Sequence, residues 1–135
     1  MKLVNYTDCG DVDYFILSHT WEEGKVSFQD MKDLPRARLK KGFAKIQNVC
    51  NLGREASITR AWVDTCCIDR GSSAELTESI NLMFRWYQES SVCIVWLSDL
   101  QPDFDIQSMA KCKWFKRGWT LQEMIAPRSI YFYDQ

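Results

Sequence analysis

The chain has 135 residues, of which 46% are hydrophobic and 26% charged, and its net charge is −1 at pH 7. This length accommodates one domain with one hydrophobic core, and the composition is ordinary for a globular protein. The balanced charge lacks the basic excess of nucleic-acid-binding and membrane-surface proteins. We therefore expect neither nucleic acid nor a membrane as a partner.

The six cysteines form no C-x-x-C pair, and His19 is the only histidine, so we expect no metal site. The first ten residues, MKLVNYTDCG, have no long apolar segment typical of a signal peptide. No apolar run in the sequence reaches membrane-spanning length. Together these features predict reduced cysteines and a cytoplasmic protein.

Four continuous apolar runs predict strands that are buried on both faces, as in parallel sheets. The runs cover residues 14–17, 61–67, 92–97 and 129–133, and helical patterns cover residues 37–52, 72–90 and 119–126 between them. Alternating strands and helices favour an α/β doubly wound, flavodoxin-like sheet with right-handed crossovers. We predict four parallel strands in the order 2-1-3-4. Residues 1–13 are predicted to be a lead-in, and residues 14–135 the folded domain.

Each predicted helix has an apolar face. The helix over residues 37–52 presents Phe43, Ile46 and Val49, and Gly53 is a predicted stop. Ser72 and Glu75 form a capping-box pattern that begins the second helix. Its predicted inner face comprises Leu76, Ile80, Met83, Phe84 and Tyr87. Residues 20–35 and 100–109 are predicted to be long loops.

The last predicted helix carries an unusual pair of side chains. At helical spacing, Leu121, Met124 and Ile125 are predicted to face the core. Trp119 and Glu123 then lie together on the opposite face, one turn apart. A solvated face rarely places a large indole beside a carboxylate, so the pair is a candidate functional site. The alternative is a tryptophan packed under a loop beside a surface glutamate.

Ligands of doubly wound sheets bind outside the carboxyl ends of the strands. The chemistry-bearing residues at those ends are Ser18, His19, Trp21, Asp64, Cys66 and Ser98. We expect them to line one pocket with Trp119 and Glu123. His19 and Cys66 could form a thiolate–imidazole pair, but a structural cysteine with a loop-capping histidine is favoured. The first turn, SHTWEEG, lacks a glycine-rich phosphate-binding pattern.

The segments YFILSHTW, WVDTCCID and WFKRGWTLQEMIAP, with residues 72–100 between the last two, resemble the fungal heterokaryon-incompatibility (HET) domain. The resemblance covers nearly the whole chain, from about Tyr14 to Asp134. It implies a role in self/non-self recognition and regulated cell death. The HET domain is in turn similar to the Toll/interleukin receptor (TIR) domain. That fold has a fifth strand and a final helix beyond the four strands predicted here, so the resemblance implies a truncated version.

TIR-like enzymes carry a Trp-x-x-x-Glu motif whose glutamate is needed to cleave NAD⁺, and Trp119 to Glu123 match it. The resemblance implies that Glu123 stabilises the transition state while Trp119 stacks on a ring of the substrate. It also assigns contacts with NAD⁺ to Ser18, His19, Trp21, Asp64, Ser98 and Cys66. No cofactor is expected beyond the substrate. We expect homo-oligomers on activation and a regulatory or receptor partner. The alternative is a non-catalytic interaction module that signals by homotypic assembly.

Overall fold

The computed structural model describes Met1, Leu3 and residues 12–101 and 103–134, so most of the predicted lead-in lies outside the described residues. The domain is built on a four-stranded parallel sheet in the order β2-β1-β3-β4. The predicted fold class and strand order are confirmed. The strands are β1 (Phe15–His19), β2 (Ala61–Val63), β3 (Val92–Trp96) and β4 (Ile130–Tyr133).

Seven α-helices lie among the described residues, together with a 3₁₀ helix at Lys113–Lys116. They are α1 (Phe28–Met31), α2 (Leu34–Arg38), α3 (Gly42–Glu55), α4 (Asp64–Cys67), α5 (Ser73–Glu89), α6 (Ile106–Lys111) and α7 (Thr120–Ile125). The two predicted long loops therefore contain the short helices α1 and α6. Local capping explains both, since Ser27 and Asp105 accept hydrogen bonds from main-chain N–H groups in the first turns of α1 and α6.

The second predicted strand is shorter than its apolar run. It ends at Val63, and the chain turns directly into α4, where Asp64 accepts a hydrogen bond from the Thr65 N–H at 2.8 Å. Cys66 and Cys67 consequently lie on a helix and not on a strand. An acidic residue is favourable at a helix N-terminus, which explains the early end of β2.

The sheet separates two hydrophobic clusters, and β1 supplies residues to both because its side chains alternate between faces. Phe15 and Leu17 pack with α3, on what we call the α3 face. Ile16 packs with α5 and Trp114, on what we call the α5 face. All five residues of β1 are buried, as expected for a central strand of a parallel sheet.

One predicted core face is correct only in part, and another is wrong. In α5, Tyr87 is buried and Leu76 and Met83 pack against the core as predicted, but Ile80 and Phe84 are 45% and 43% exposed, and Trp86 is buried instead. In α7, the predicted core residues Leu121, Met124 and Ile125 are exposed. Helix α7 instead buries Thr120 and Glu123, with Ala126 just beyond its end. Hydrogen bonds made by the buried polar side chains fix the rotation of this six-residue helix, which has little apolar area to set it.

Candidate functional site

Glu123 is the centre of a buried polar network on the α5 face. Only 4% of the residue is exposed, and its Oε2 accepts a hydrogen bond from Ser18 Oγ at 2.6 Å. Arg117 donates a hydrogen bond to each carboxylate oxygen, with Nη1 3.0 Å from Oε2 and Nη2 3.1 Å from Oε1. Trp114 Nε1 donates to Ser18 Oγ at 2.6 Å and completes the network. The carboxylate is therefore held firmly at the carboxyl end of β1.

The elements around this network fix the position of each member. Ser18 lies near the end of β1, on the face opposite His19. Thr120 Oγ1 donates to the main-chain oxygen of Trp114 at 2.5 Å, which joins the start of α7 to the 3₁₀ helix. The Trp114 ring is fully buried and packs edge-on against Phe115, with 4.8 Å between ring centroids. Helix α7 can therefore shift little without disturbing Glu123.

Trp119 and Glu123 do not share an environment. Trp119 immediately precedes α7 and is 49% exposed, whereas Glu123, one turn later, points into the protein. The main-chain N–H of Glu123 donates to the Trp119 oxygen at 3.2 Å, so the two residues are joined through the backbone. The indole is consequently available at the surface, one helical turn before the buried carboxylate.

A second group of predicted residues surrounds Asp64. His19 Nε2 lies 3.2 Å from Asp64 Oδ1, although its alignment falls short of a hydrogen bond. Trp21 Nε1 donates to Asp64 Oδ2 at 2.7 Å, and Arg70 Nη2 lies 3.7 Å from the same oxygen. Burial alone would raise the pKa of Asp64, but its contacts with His19 and Trp21 hold the pKa below the usual value. Asp64 is thus a charged group that holds Trp21, in the loop after β1, by a hydrogen bond.

Ser98 and Trp21 each contact charged side chains near the surface. The Ser98 hydroxyl donates a short hydrogen bond to Glu22, whose other oxygen lies 3.2 Å from Lys45 Nζ. Burial would raise the pKa of Glu22, yet Ser98 and Lys45 together lower it. The guanidinium carbon of Arg70 lies 4.1 Å from the centroid of the Trp21 ring, a cation–π contact.

Cys66 is a buried thiol. It is 3% exposed, and its Sγ donates to the main-chain oxygen of Val26 at 3.4 Å. Burial raises the pKa of Cys66 to about 12, so the sulfur is protonated at neutral pH. A protonated sulfur is a poor nucleophile, and the partner of His19 is Asp64. The structural interpretation of Cys66 therefore fits better than a thiolate–imidazole pair.

The structure divides the single predicted pocket into two groups on opposite faces of the sheet. Ser18 and Glu123 meet on the α5 face. His19 and Asp64 meet on the other, with Trp21 and Cys66 beside them. The sequence interpretation missed Arg117 and Trp114, which complete the first group. Arg117 lies six residues before Glu123, and its positive charge made it a possible partner for the carboxylate. Sequence spacing alone did not show that the turn between them brings the two side chains together.

Neither a metal site nor a membrane span is found in the part of the chain that the structure describes. No three histidine, cysteine, aspartate or glutamate side chains there lie close enough to hold an ion. None of the described helices is both long and apolar enough to cross a membrane.

Comparison with known proteins identifies a family. Residues 14–107 match the family described as heterokaryon incompatibility protein (HET). The whole chain aligns, at 41% identity over 157 positions, with vegetative incompatibility protein HET-E-1 of Podospora anserina. It spans about an eighth of the length of that relative, since it covers 12% of it. No solved structure matches the chain significantly.

Proposed function

The chain belongs to the heterokaryon incompatibility (HET) family, and from this premise we propose that it is a self/non-self recognition domain that hydrolyses the nicotinamide–ribose bond of NAD⁺. Glu123 is the proposed catalytic residue. The observation that carries the proposal is a buried carboxylate, hydrogen-bonded to Ser18, at the carboxyl end of a central parallel strand. That is where doubly wound folds place ligands.

The chemistry needs only one carboxylate. The nicotinamide nitrogen takes the electron pair of the broken C–N bond and leaves as a neutral molecule, so no general acid has to protonate it. Water then adds to the ribose carbon and releases its proton to the solvent. The remaining barrier is the formation of an oxocarbenium-like ribose, which a nearby negative charge stabilises. Glu123 supplies that charge, and the low polarity around Trp114 strengthens its effect.

Because Arg117 engages Glu123, we interpret the observed arrangement as a resting form of the proposed enzyme. Both oxygens of Glu123 are engaged by protein groups, so the ribose can approach only after Arg117 releases at least one of them. Arg117 is the more movable partner, because its side chain is 21% exposed and next to Gly118, whose surroundings are open. We propose that assembly of several copies displaces this arginine.

Glu123→Gln tests the catalytic assignment. The change keeps the shape and hydrogen-bonding capacity of the side chain but removes its charge. NAD⁺ turnover by protein clustered on a multivalent support should fall by about 10²–10³. The matched control is Glu78→Gln, the same change at an exposed position of α5, which should keep full activity. Both variants must first show cooperative unfolding well above the assay temperature.

Trp119→Ala and Cys66→Ser separate the competing site assignments. Losing the half-exposed indole should raise KM and so lower kcat/KM with little change in kcat, because stacking acts on bound substrate and transition state alike. Cys66→Ser should leave turnover nearly unchanged. Full activity of Glu123→Gln together with an inactive Cys66→Ser would replace the carboxylate mechanism with a thiolate one.

The second candidate is a non-catalytic module that signals by homotypic assembly. It is favoured by the exposed apolar surface of α7, where Leu121 and Ile125 are 69% and 64% exposed. Under this alternative, Arg117 and Glu123 serve only to orient α7. A folded, clustered wild-type protein that releases no nicotinamide would establish this alternative.

A further inference from the structure

A cleft of about 370 Å³ opens on the α3 face of the sheet, away from Glu123. It lies between the loop of residues 20–26, the first turn of α3, and the carboxyl ends of β1 and β3. Gly42 permits this shape, because its N–H donates to the Gly24 oxygen at 3.1 Å and an added Cβ would lie 3.0 Å from that oxygen. Its volume is in the range of small-molecule sites.

Two buried polar groups in the cleft lack partners. His19 is 6% exposed and lines the cleft, and its Nδ1 has no hydrogen-bond partner among the described residues. The Thr20 hydroxyl, also on the wall, is buried and equally unpaired within that part of the chain. Buried polar groups are normally satisfied, so two unpaired polar groups beside a cavity indicate a missing partner.

The charge around the cleft favours an anion. Lys25, Lys41 and Lys45 line it, against Glu22 and Glu23. Glu22 forms an ion pair with Lys45, with 3.2 Å between Oε2 and Nζ, whereas Lys41 has no ion pair with a described residue.

The first turn of α3 adds to the positive electrostatic potential of the cleft. Lys41 precedes the 14-residue helix, and no side chain caps its N-terminus. The N–H groups of Gly42 and Phe43 donate to the main-chain oxygens of Gly24 and Lys40, so it is the helix dipole at this end of α3 that attracts a phosphate group.

We propose that this cleft binds the diphosphate group of a small molecule, with Lys41, the first turn of α3 and His19 as its ligands. Trp96 and Ile46 supply an apolar floor on which the rest of the molecule rests. The site is separate from Glu123, since His19 and Ser18 point to opposite faces of the sheet. Binding here does not depend on the hydrolysis proposed above.

Calorimetric titration with inorganic pyrophosphate tests the proposal. Pyrophosphate should bind the wild type, and Lys41→Gln should weaken binding about tenfold through loss of one charge-assisted contact. The control Lys111→Gln, at an exposed position of α6, should leave the affinity unchanged. Glu123→Gln should also bind normally, which separates this site from the proposed catalytic one.

ADP in place of pyrophosphate identifies the source of the diphosphate. Tighter binding of ADP indicates a nucleotide, and equal binding indicates a free inorganic or non-nucleotide compound. Nuclear magnetic resonance should show amide shifts at residues 42–45 and changes in the His19 ring. The proposal is overturned if neither compound binds at millimolar concentration, if Lys41→Gln equals Lys111→Gln, or if the shifts occur in α7.

Discussion

Arg117 and Glu123 form an ion pair of a different kind from the surface pairs. Their side chains are 21% and 6% exposed, whereas those of Arg85 and Glu89 on α5 are 68% and 37% exposed. Removing one partner of a buried pair leaves the other charge uncompensated in a poorly solvated position. The pair therefore matters for stability as well as for the proposed chemistry.

We predict that Arg117→Ala lowers the free energy of unfolding by about 3–5 kcal/mol. Arg85→Ala, which disrupts an exposed pair, should cost less than about 1 kcal/mol. Urea denaturation of both variants measures the difference. Equal costs would mean that water solvates Glu123 freely, which would contradict the buried network.

Asp30 gives the protein an acid-sensitive contact. Its carboxylate lies 2.6 Å from Lys40 Nζ and accepts hydrogen bonds from Ser27. Burial would raise the pKa of Asp30, but Lys40 and Ser27 lower it to about 2 from the usual 3.8. Because the folded pKa lies below the unfolded one, the stabilisation is complete above about pH 4 and is lost as the pH falls through 2.

Asp30→Asn should therefore destabilise the protein by about 1–3 kcal/mol at pH 7, as expected for a hydrogen bond to a charged group. The difference from wild type should shrink steadily between pH 4 and pH 2. Urea midpoints across this range measure it, with Asp103→Asn as an exposed control. A difference that stays constant to pH 2 would show that the charge of Asp30 is irrelevant.

Part of the candidate site was predictable from residue order. Ser18, at the end of a buried run, was correctly expected near a strand end, and it does meet Glu123. Alternation along β1 already places Ser18 and His19 on opposite faces, so the division into two groups could also have been predicted. The bond from Trp114 to Ser18 could not, because 96 residues separate them.

At the scale of elements, α3 is tied to β1 by a glycine. Gly53 was predicted to end the helix, but α3 continues to Glu55, and Gly53 faces the ring of Phe15. A Cβ at residue 53 would lie 2.2 Å from that ring and 3.0 Å from the Ile58 oxygen. The glycine is required by close packing and not by backbone conformation.

We predict that Gly53→Ala destabilises the domain by about 1–3 kcal/mol, the usual cost of overpacking. The result is informative because alanine in a helix interior otherwise gains up to about 1 kcal/mol over glycine. Gly118→Ala is the matched control, since an added Cβ there meets no atom within 4 Å. Thermal unfolding of both variants provides the measurement, and a stabilised Gly53→Ala would mean that α3 sits farther from β1.

Sequence patterns predicted strands better than helix faces. A parallel strand such as β3 is apolar throughout, so its position follows from hydrophobicity alone. The rotation of α7 depends instead on two polar side chains, Thr120 and Glu123, whose partners lie elsewhere in the chain. Periodicity treats polar residues as solvent-facing, so it oriented this helix the wrong way.

At the scale of the whole molecule, the order β2-β1-β3-β4 leaves β4 at an edge of the sheet. Tyr131 and Phe132 on this strand are 56% and 37% exposed, and Leu121 of α7 is also exposed. Exposed apolar edge strands tend to pair with other chains unless charge or cover prevents it. This property fits the assembly that both candidate functions require.

We predict that the 135-residue chain self-associates through the open edge of β4. Tyr131→Lys places a charge beside the unpaired main-chain groups and should shift the protein toward monomer, because lysine disfavours edge pairing. Leu39→Lys is the matched control, since Leu39 is 87% exposed and lies directly after α2, not on a strand of the sheet. Sedimentation velocity over a range of protein concentrations should show association in the wild type and the control, but less in Tyr131→Lys. A wild type that remains monomeric at the highest concentration would refute edge pairing, and equal association of all three proteins would move the interface elsewhere.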